Sequence, residues 1–373
     1  AIAEERYLGG TCVNVGCVPK KLFVYAAEFA HDFEDAAGFG WTVGERTFDW
    51  RTLIHNKNQE INRLNGIYER LLNNAGVDII NGRARIIDEH TVEVDGKQYT
   101  SEYILVATGG WPRLPEIPGV EHAITSNEAF YLEQLPERMI IVGGGYIAVE
   151  FAGVFNNLGV EVTMLHRGNL ILRGFDDDIR DTLEEEMGKQ GIEVRCNDQI
   201  IQIEKDGDTL TATLKSGDTL TAGAIMYAIG RVPNTKGIGL EAVGVELNEK
   251  GAIVVNEYLQ SSVPHIYALG DVIDRIQLTP MATAEGMAVA RNLFDGQEQV
   301  PAYDNVPTAI FSHPNVGTVG LTEAEARHQY KHVDIYRTKF RPMKHTLSGR
   351  EERVMMKLVV DGDTDKVLGV HMV

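Results

Sequence analysis

Cysteine is scarce, with three in 373 residues. That excludes the dense disulfide framework of a small secreted protein, so a bridge between any two of them points to chemistry rather than scaffolding. Basic residues are also short, 35 against 54 acidic ones, and the formal charge of -19 repels nucleic acid and anionic membrane, excluding both as partners. No apolar run approaches the roughly 20 residues of a bilayer-spanning helix, and no short apolar segment with a basic flank opens the chain. Low-complexity segments and short-period repeats are lacking too. These absences describe an ordinary soluble protein, expected in the cytoplasm. What is present is apolar bulk: 43% hydrophobic content fills several cores, and the length predicts about two to three domains.

The pattern along the chain is α/β. Residues 22–33 place Leu22, Ala26, Phe29 and Phe33 at helical spacing, and a second helix is predicted from about residue 50 to 75, with Ile54, Ile61, Leu64, Tyr68, Leu71 and Ala75 on one stripe. Short β-rich stretches follow at 77–80, 83–87 and 91–94, then an apolar strand at 103–107; the proline-rich residues 112–118 read as a linker. A new unit opens at Met139 with a strand, a glycine turn and a helix, continuing through a strand at 160–165, a helix at 176–191 and a β-meander at 192–222. Apolar strands return at 224–229 and 265–269, followed by a helix at 282–294, and from about Asp304 strands and a surface helix mark a further domain. Ala1-Ile2-Ala3-Glu4 reads as the end of a strand and residues 367–373 as the middle of one, so a chain truncated at both ends is expected.

Two of the cysteines lie in Gly9-Gly10-Thr11-Cys12-Val13-Asn14-Val15-Gly16-Cys17-Val18-Pro19-Lys20-Lys21, just ahead of a helix. A helix N-terminus stabilises anions, so a thiolate there forms and exchanges disulfides readily. Half of a zinc site and a pair of buried thiols are the alternatives; zinc is disfavoured because no second Cys/His pair with ligand spacing exists, and no metal is expected. Cys196, alone on a strand, reads as core.

Val142-Gly143-Gly144-Gly145-Tyr146-Ile147-Ala148 places a glycine fingerprint between a strand and a helix. Gly143 permits the tight turn, Gly145 lets backbone approach a pyrophosphate, and Ala148 replaces a third glycine at the helix contact. A unit selective for NADH ends its next strand with an acid for the ribose hydroxyl; here His166 and Arg167 stand there, with Arg173 further on. Two guanidiniums match the oxygens of an additional 2′-phosphate, which favours NADPH. Two ordinary surface arginines remain the other reading, and His166 is either a phosphate contact or a bystander.

The cysteine segment resembles that of the class I pyridine nucleotide-disulfide oxidoreductases, and the resemblance runs through essentially the whole chain. It implies an FAD/NAD(P)-binding, Rossmann-like fold with two dinucleotide-binding domains: an FAD domain at 1–110, an NADPH domain at 111–232, a central domain at 233–303 and an incomplete α+β dimer-interface domain at 304–373. It further implies that electrons pass from NADPH through FAD to a Cys12–Cys17 disulfide, with Cys17 facing the flavin and Cys12 attacking the substrate. By the same resemblance Lys20 pairs with Glu150 beside the flavin, and Tyr146 is a lid over it. FAD is expected to contact Glu4, Gly10, Thr11, Cys12, Lys20, Thr108, Gly109, Gly270, Asp271 and Thr279. NADPH is expected to contact Gly143, Gly145, Tyr146, Ile147, Glu150, His166, Arg167, Arg173, Gly230 and Arg231. A homodimer is implied, with a proton-donating histidine beyond Val373 on the partner subunit, so poor disulfide turnover is expected of these residues alone. His313-Pro314 reads as structural.

The implied substrate is glutathione disulfide. Ile67 and Tyr68 match glutathione-site positions, although a helix's core stripe accounts for Ile67 and Leu71 equally well. Leu71 and Met287 depart from many relatives, which carry a polar residue and an arginine there. Trypanothione-reducing members are the nearest rivals, resembling residues 167–176, while residues 340–349 look more like one glutathione-reducing branch. A non-catalytic nucleotide-binding module is the reading of another class, and the Cys12/Cys17 pair with Lys20 and Glu150 argues against it.

Overall fold

A computed structural model describes residues 1–373. Contacts within the chain divide it into two compact units, one of residues 1–18, 58–112 and 231–303 and the other of residues 19–57, 113–230 and 304–373. The chain passes between the units near residues 18, 57, 112, 230 and 303.

In the first unit, short parallel pairs join Ile2–Glu4 to Ile79–Asn81 and Ile104–Val106 to Ile266–Ala268. An antiparallel sheet of Ala84–Asp88, Thr91–Val94 and Lys97–Thr100 stands beside them in sequence. The last of these strands was not anticipated, since Lys97-Gln98-Tyr99-Thr100 carries little apolar signal. Its core gathers Ile104, Val106, Leu259, Ile266, Ala268 and Val272.

The second unit contains five parallel strands in the spatial order Glu193–Cys196, Glu161–His166, Arg138–Val142, Ala224–Tyr227, Ile124–Thr125. Helix Tyr146–Asn157 connects two of them, and it buries every residue from Ala148 to Phe155. An apolar helix without a polar face is stable only when covered, and this one makes the strand-turn-helix-strand unit that the fingerprint predicts. The meander follows as Ile200–Asp206, Thr209–Leu214 and Thr219–Ala222. Residues after Asp304 form an antiparallel sheet of five strands, Thr308–Ile310, Val316–Gly320, Val367–Met372, Val354–Asp361 and Val333–Phe340 in spatial order.

Helix Cys17–Asp35 takes a rotational phase different from the one expected. It buries Phe23, Val24 and Ala27, while Phe29 and Phe33 are exposed and stack on each other with centroids 6.0 Å apart. Phe23 sits 5.0 Å from Trp50 and 5.6 Å from Phe130, and this aromatic cluster, assembled from distant segments, decides which face turns inward. Helix Trp50–Asn74 buries Trp50, Lys57 and Ile61, leaving Tyr68 and Leu71 exposed. Lys57 has no acid partner: Nζ donates to the Phe130 carbonyl at 2.7 Å and lies 4.1 Å from the Tyr131 ring, and burial lowers its pKa to about 8.

Candidate active site

The cysteine segment folds as a five-residue helix, Gly10–Asn14, followed by helix Cys17–Asp35, so Cys17 is the first residue of the longer one. Gly16 closes the turn between them; a Cβ there would stand 2.7 Å from the Thr11 carbonyl oxygen, so no other residue fits. Two amides that sequence reasoning missed, buried Asn14 and half-buried Asn65, hold the segment from below. Asn14 Nδ2 donates to the carbonyls of Leu8 and Gly10 at 3.0 Å, and Asn65 Nδ2 donates to Leu8 at 2.8 Å and to Asn14 Oδ1 at 3.0 Å. Cys12 is half-buried and Cys17 exposed, with Cys17 Sγ 3.8 Å from Thr279 Oγ1. Pro19 at the third helical position lacks an N–H that would in any case be unsatisfied there. Cys196, read as core, is half-buried, 4.0 Å from the Glu184 carboxylate, and burial pushes its thiol up.

Lys20, one turn after Cys17, makes a 2.7 Å ion pair with Glu150. Glu150 is buried on helix Tyr146–Asn157, where desolvation pushes its carboxyl up, opposed by Lys20 and by the Phe311 N–H at 2.9 Å. The Phe311 amide was not foreseeable, since it lies just after the distant strand Thr308–Ile310. A buried carboxylate stripped of its cation costs more than the pair itself contributes. Lys20→Met alone is therefore expected to destabilise the protein by about 3–5 kcal/mol, and adding Glu150→Gln to recover most of that; denaturant midpoints of the two variants check it.

The glycine turn has the shape of a phosphate cradle. Gly143 has φ +146°, and a Cβ on it would meet the Ala228 carbonyl oxygen at 2.3 Å; one on Gly144 would meet the His166 ring at 2.5 Å. Around Gly145, by contrast, there is open space, and Gly145 caps the helix without any side-chain acceptor, leaving its first N–H groups to face a ligand. Leu172 N–H donates to the Gly144 carbonyl at 2.6 Å, which wraps the loop after strand Glu161–His166 around the turn. That loop carries Arg167 and Arg173, both exposed, and no carboxylate neutralises either. Arg180, unremarked in the sequence, braces the loop from Nε to the Ile171 carbonyl at 2.7 Å and from Nη2 to Leu170 at 3.0 Å. Burial, then Arg167, Arg180 and Arg173, hold His166 below its ordinary pKa of 6.5. Tyr146 is exposed at the start of the helix and Ile147 half-buried behind it.

A dinucleotide cradle lined by cations, a buried lysine–glutamate pair and two cysteines at a helix start together indicate electron transfer from a nicotinamide to a disulfide. Residues 1–286 match the pyridine nucleotide-disulphide oxidoreductase model, and residues 306–373 match the dimerisation domain of the same group. The chain belongs to the pyridine nucleotide-disulphide oxidoreductases. It is 48% identical over 373 residues to the glutathione reductase of Burkholderia cepacia, covering 100% of this chain and 83% of that protein. It is 42% identical over 382 residues to the trypanothione reductase of Trypanosoma congolense, covering 98% of this chain and 78% of that one. Among solved structures, the HOCl-induced flavoprotein disulfide reductase RclA from Escherichia coli superposes with a TM-score of 0.89 at 29% identity, covering 99% of this chain and 82% of that one. FAD and NADPH are the cofactors that this membership brings.

Of the residues expected to contact FAD, all but Lys20 belong to the first unit. Glu4 ends strand Ile2–Glu4, and its Oε1 accepts from the Arg6 N–H at 2.8 Å. Gly10 at φ +60° and Gly109 at φ +71° both border open space, whereas Gly270 at φ +72° is buried. Thr108 Oγ1 donates to the Asn234 carbonyl at 2.7 Å. Thr279 begins helix Thr279–Phe294. Glu285, fully buried and absent from the sequence expectations, accepts from the Gly270 N–H at 2.7 Å and from the Tyr303 hydroxyl at 2.8 Å, fixing the Gly270-Asp271 turn. Asp271 is pushed up by burial and pulled down by Arg231, whose Nε is 3.5 Å away.

Arg231, expected to contact NADPH, directs its guanidinium to Asp271, the Gly110 carbonyl and Thr11, because a buried guanidinium needs acceptors and these are the ones its strand offers. Gly230, just before it, has φ +114° and open space around it. Ile67 is half-buried and Tyr68 and Met287 are exposed.

His313 is buried with both ring nitrogens unpartnered, and desolvation, His31 and Lys21 lower its pKa to about 4 from 6.5. The unfolded chain binds a proton between those two values and the folded chain does not, so stability falls as pH drops from 6.5 towards 4. His313→Phe is expected to remove about 3 kcal/mol of acid sensitivity, seen as a flatter plot of urea midpoint against pH.

Proposed function

We propose that the protein reduces glutathione disulfide to glutathione with NADPH, through FAD and the Cys12/Cys17 pair. The observation that carries this is the 48% identity along the whole chain to a glutathione reductase, against 42% to a trypanothione reductase. The residues fit the cofactors independently. Gly143 and Gly144 pack too closely on Ala228 and His166 to carry a Cβ, Gly145 leaves open backbone for a pyrophosphate, Arg167 and Arg173 supply unpaired cations for a 2′-phosphate, and Gly10 and Gly109 leave open backbone on the flavin side.

When bound, FAD and NADPH supply the electron pair that opens a Cys12–Cys17 disulfide. Cys12 thiolate then attacks one sulfur of the substrate disulfide; a bond forms between Cys12 and that sulfur, the substrate S–S bond breaks, and the departing thiolate takes a proton. Cys17 thiolate next attacks the Cys12 sulfur, re-forming the internal disulfide and releasing the second thiol, so two electrons and two protons yield two thiols. The start of helix Cys17–Asp35 favours the anionic form of Cys17. Lys20, held by Glu150, is assigned to the flavin's reactive edge. The match of residues 306–373 to a dimerisation domain supports a homodimer.

The test is NADPH oxidation by the full protein with glutathione disulfide, trypanothione disulfide and oxidised thioredoxin in parallel. Glutathione disulfide is expected to give the highest kcat/KM, and preference for either of the others overturns the substrate assignment.

A further inference from the structure

A second constellation lies in the first unit and takes no part in the redox site. Glu89 and His90 form the turn between strands Ala84–Asp88 and Thr91–Val94, and His265 immediately precedes strand Ile266–Ala268. The two imidazoles have centroids 4.2 Å apart, and one donor atom from each, with a carboxylate oxygen of Glu89, lies within 4.8 Å of the others.

His90 is fixed from behind. Its Nδ1 faces the Ser101 carbonyl at 2.9 Å, its backbone carbonyl accepts from the Ser101 N–H at 2.9 Å, and its own N–H donates to Asp88 Oδ1 at 2.9 Å. The carbonyl can only accept, so Nδ1 carries the proton and Nε2 keeps its lone pair, which is how metal-binding histidines are usually oriented. His265 is anchored by its backbone carbonyl, which accepts from the Ile104 N–H at 2.9 Å. Neither its ring nor the Glu89 carboxylate hydrogen-bonds within the protein.

We propose that Glu89, His90 and His265 bind a divalent ion of the zinc, nickel and copper group. Two imidazoles and one carboxylate are the donors such ions prefer, whereas magnesium and calcium require oxygen ligands throughout. Bonds of about 2.0–2.2 Å place neighbouring ligand atoms on a tetrahedral ion roughly 3.4 Å apart. The ligands must therefore close by about an ångström, a movement that the exposed Glu89 makes by changing rotamer. The bound ion clips the hairpin turn to the edge of the strand pair Ile104–Val106 and Ile266–Ala268.

The test uses the FAD-loaded protein with its Cys12/Cys17 pair oxidised, so that thiolates do not compete, stripped with chelator and titrated with Zn2+ by calorimetry. One ion per chain is expected, and His90→Gln and His265→Gln should each weaken binding by at least about tenfold, since even outer partners of metal ligands are worth that much. Zn2+ should also raise the melting temperature of the parent and not of the variants, and Mg2+ should do neither. Absence of Zn2+ binding, or binding that neither substitution weakens, overturns the proposal.

Discussion

Cys12→Ser and Cys17→Ser are each expected to lower NADPH-dependent disulfide turnover by at least about 10⁴-fold, the scale seen when a nucleophile that acts as part of a unit is removed. The loss is this large because the two sulfurs do sequential, non-substitutable work. Without Cys12 no mixed disulfide forms; without Cys17 the mixed disulfide forms once and has nothing to resolve it. A serine alkoxide replaces neither, since hydroxyl is far less acidic than thiol. The two variants should nonetheless differ in one readout. Incubated with glutathione disulfide after reduction, Cys17→Ser should retain one glutathione as a mixed disulfide on Cys12, detectable by intact mass, and Cys12→Ser should retain none. NADPH oxidation by an artificial electron acceptor should persist in both, which separates a lost dithiol from a lost fold. Disulfide turnover close to the parent's in either variant would sink the assigned roles.

Chemistry carried by neighbouring residues was legible in the sequence, and chemistry assembled across the chain was not. The strand, glycine turn and helix around Gly143 to Ala148 could be read because turn geometry, backbone approach and helix burial are all local requirements, and the loop bearing Arg167 and Arg173 follows directly. The spacing of Cys12 and Cys17 was equally visible. Helical periodicity, however, establishes a helix without its rotational phase. Phe29 and Phe33 satisfy the period as well as Phe23 and Ala27 do, and only the packing of Phe23 against Trp50 and Phe130 selects between them. The partners that hold the site carry no signal of their own: Asn65 beneath the cysteine segment, Glu285 on the Gly270 amide and the Phe311 N–H on Glu150 each meet their targets from far away in sequence. The same holds for Arg231, whose acceptors Asp271 and the Gly110 carbonyl come from segments distant in sequence.

Replacing Arg167 and Arg173 together by glutamine is expected to lower kcat/KM for NADPH by roughly 10²–10⁴-fold while leaving NADH nearly unchanged. Each charge-assisted contact to a phosphate is worth about 1.5–3 kcal/mol, and two of them add to about 3–6 kcal/mol when both phosphate contacts are lost. The effect should appear in KM, because the 2′-phosphate is remote from the transferred hydride and binds equally in ground and transition states. Raised salt should weaken NADPH binding to the parent and have little further effect on the double variant, since both arginines are exposed. Arg180→Met should produce a smaller rise in KM, because Arg180 already spends its charge on Asp177 and its other N–H groups on Leu170 and Ile171; it shapes the loop without offering a free cation. His166 supplies the control. Burial and the three arginines lower its pKa, so any improvement in KM for NADPH on acidification should set in at lower pH than an ordinary histidine would give. A tightening through 6.5 would mean that His166 protonates as an ordinary surface histidine does, which is incompatible with a ring packed against Gly144 among guanidiniums.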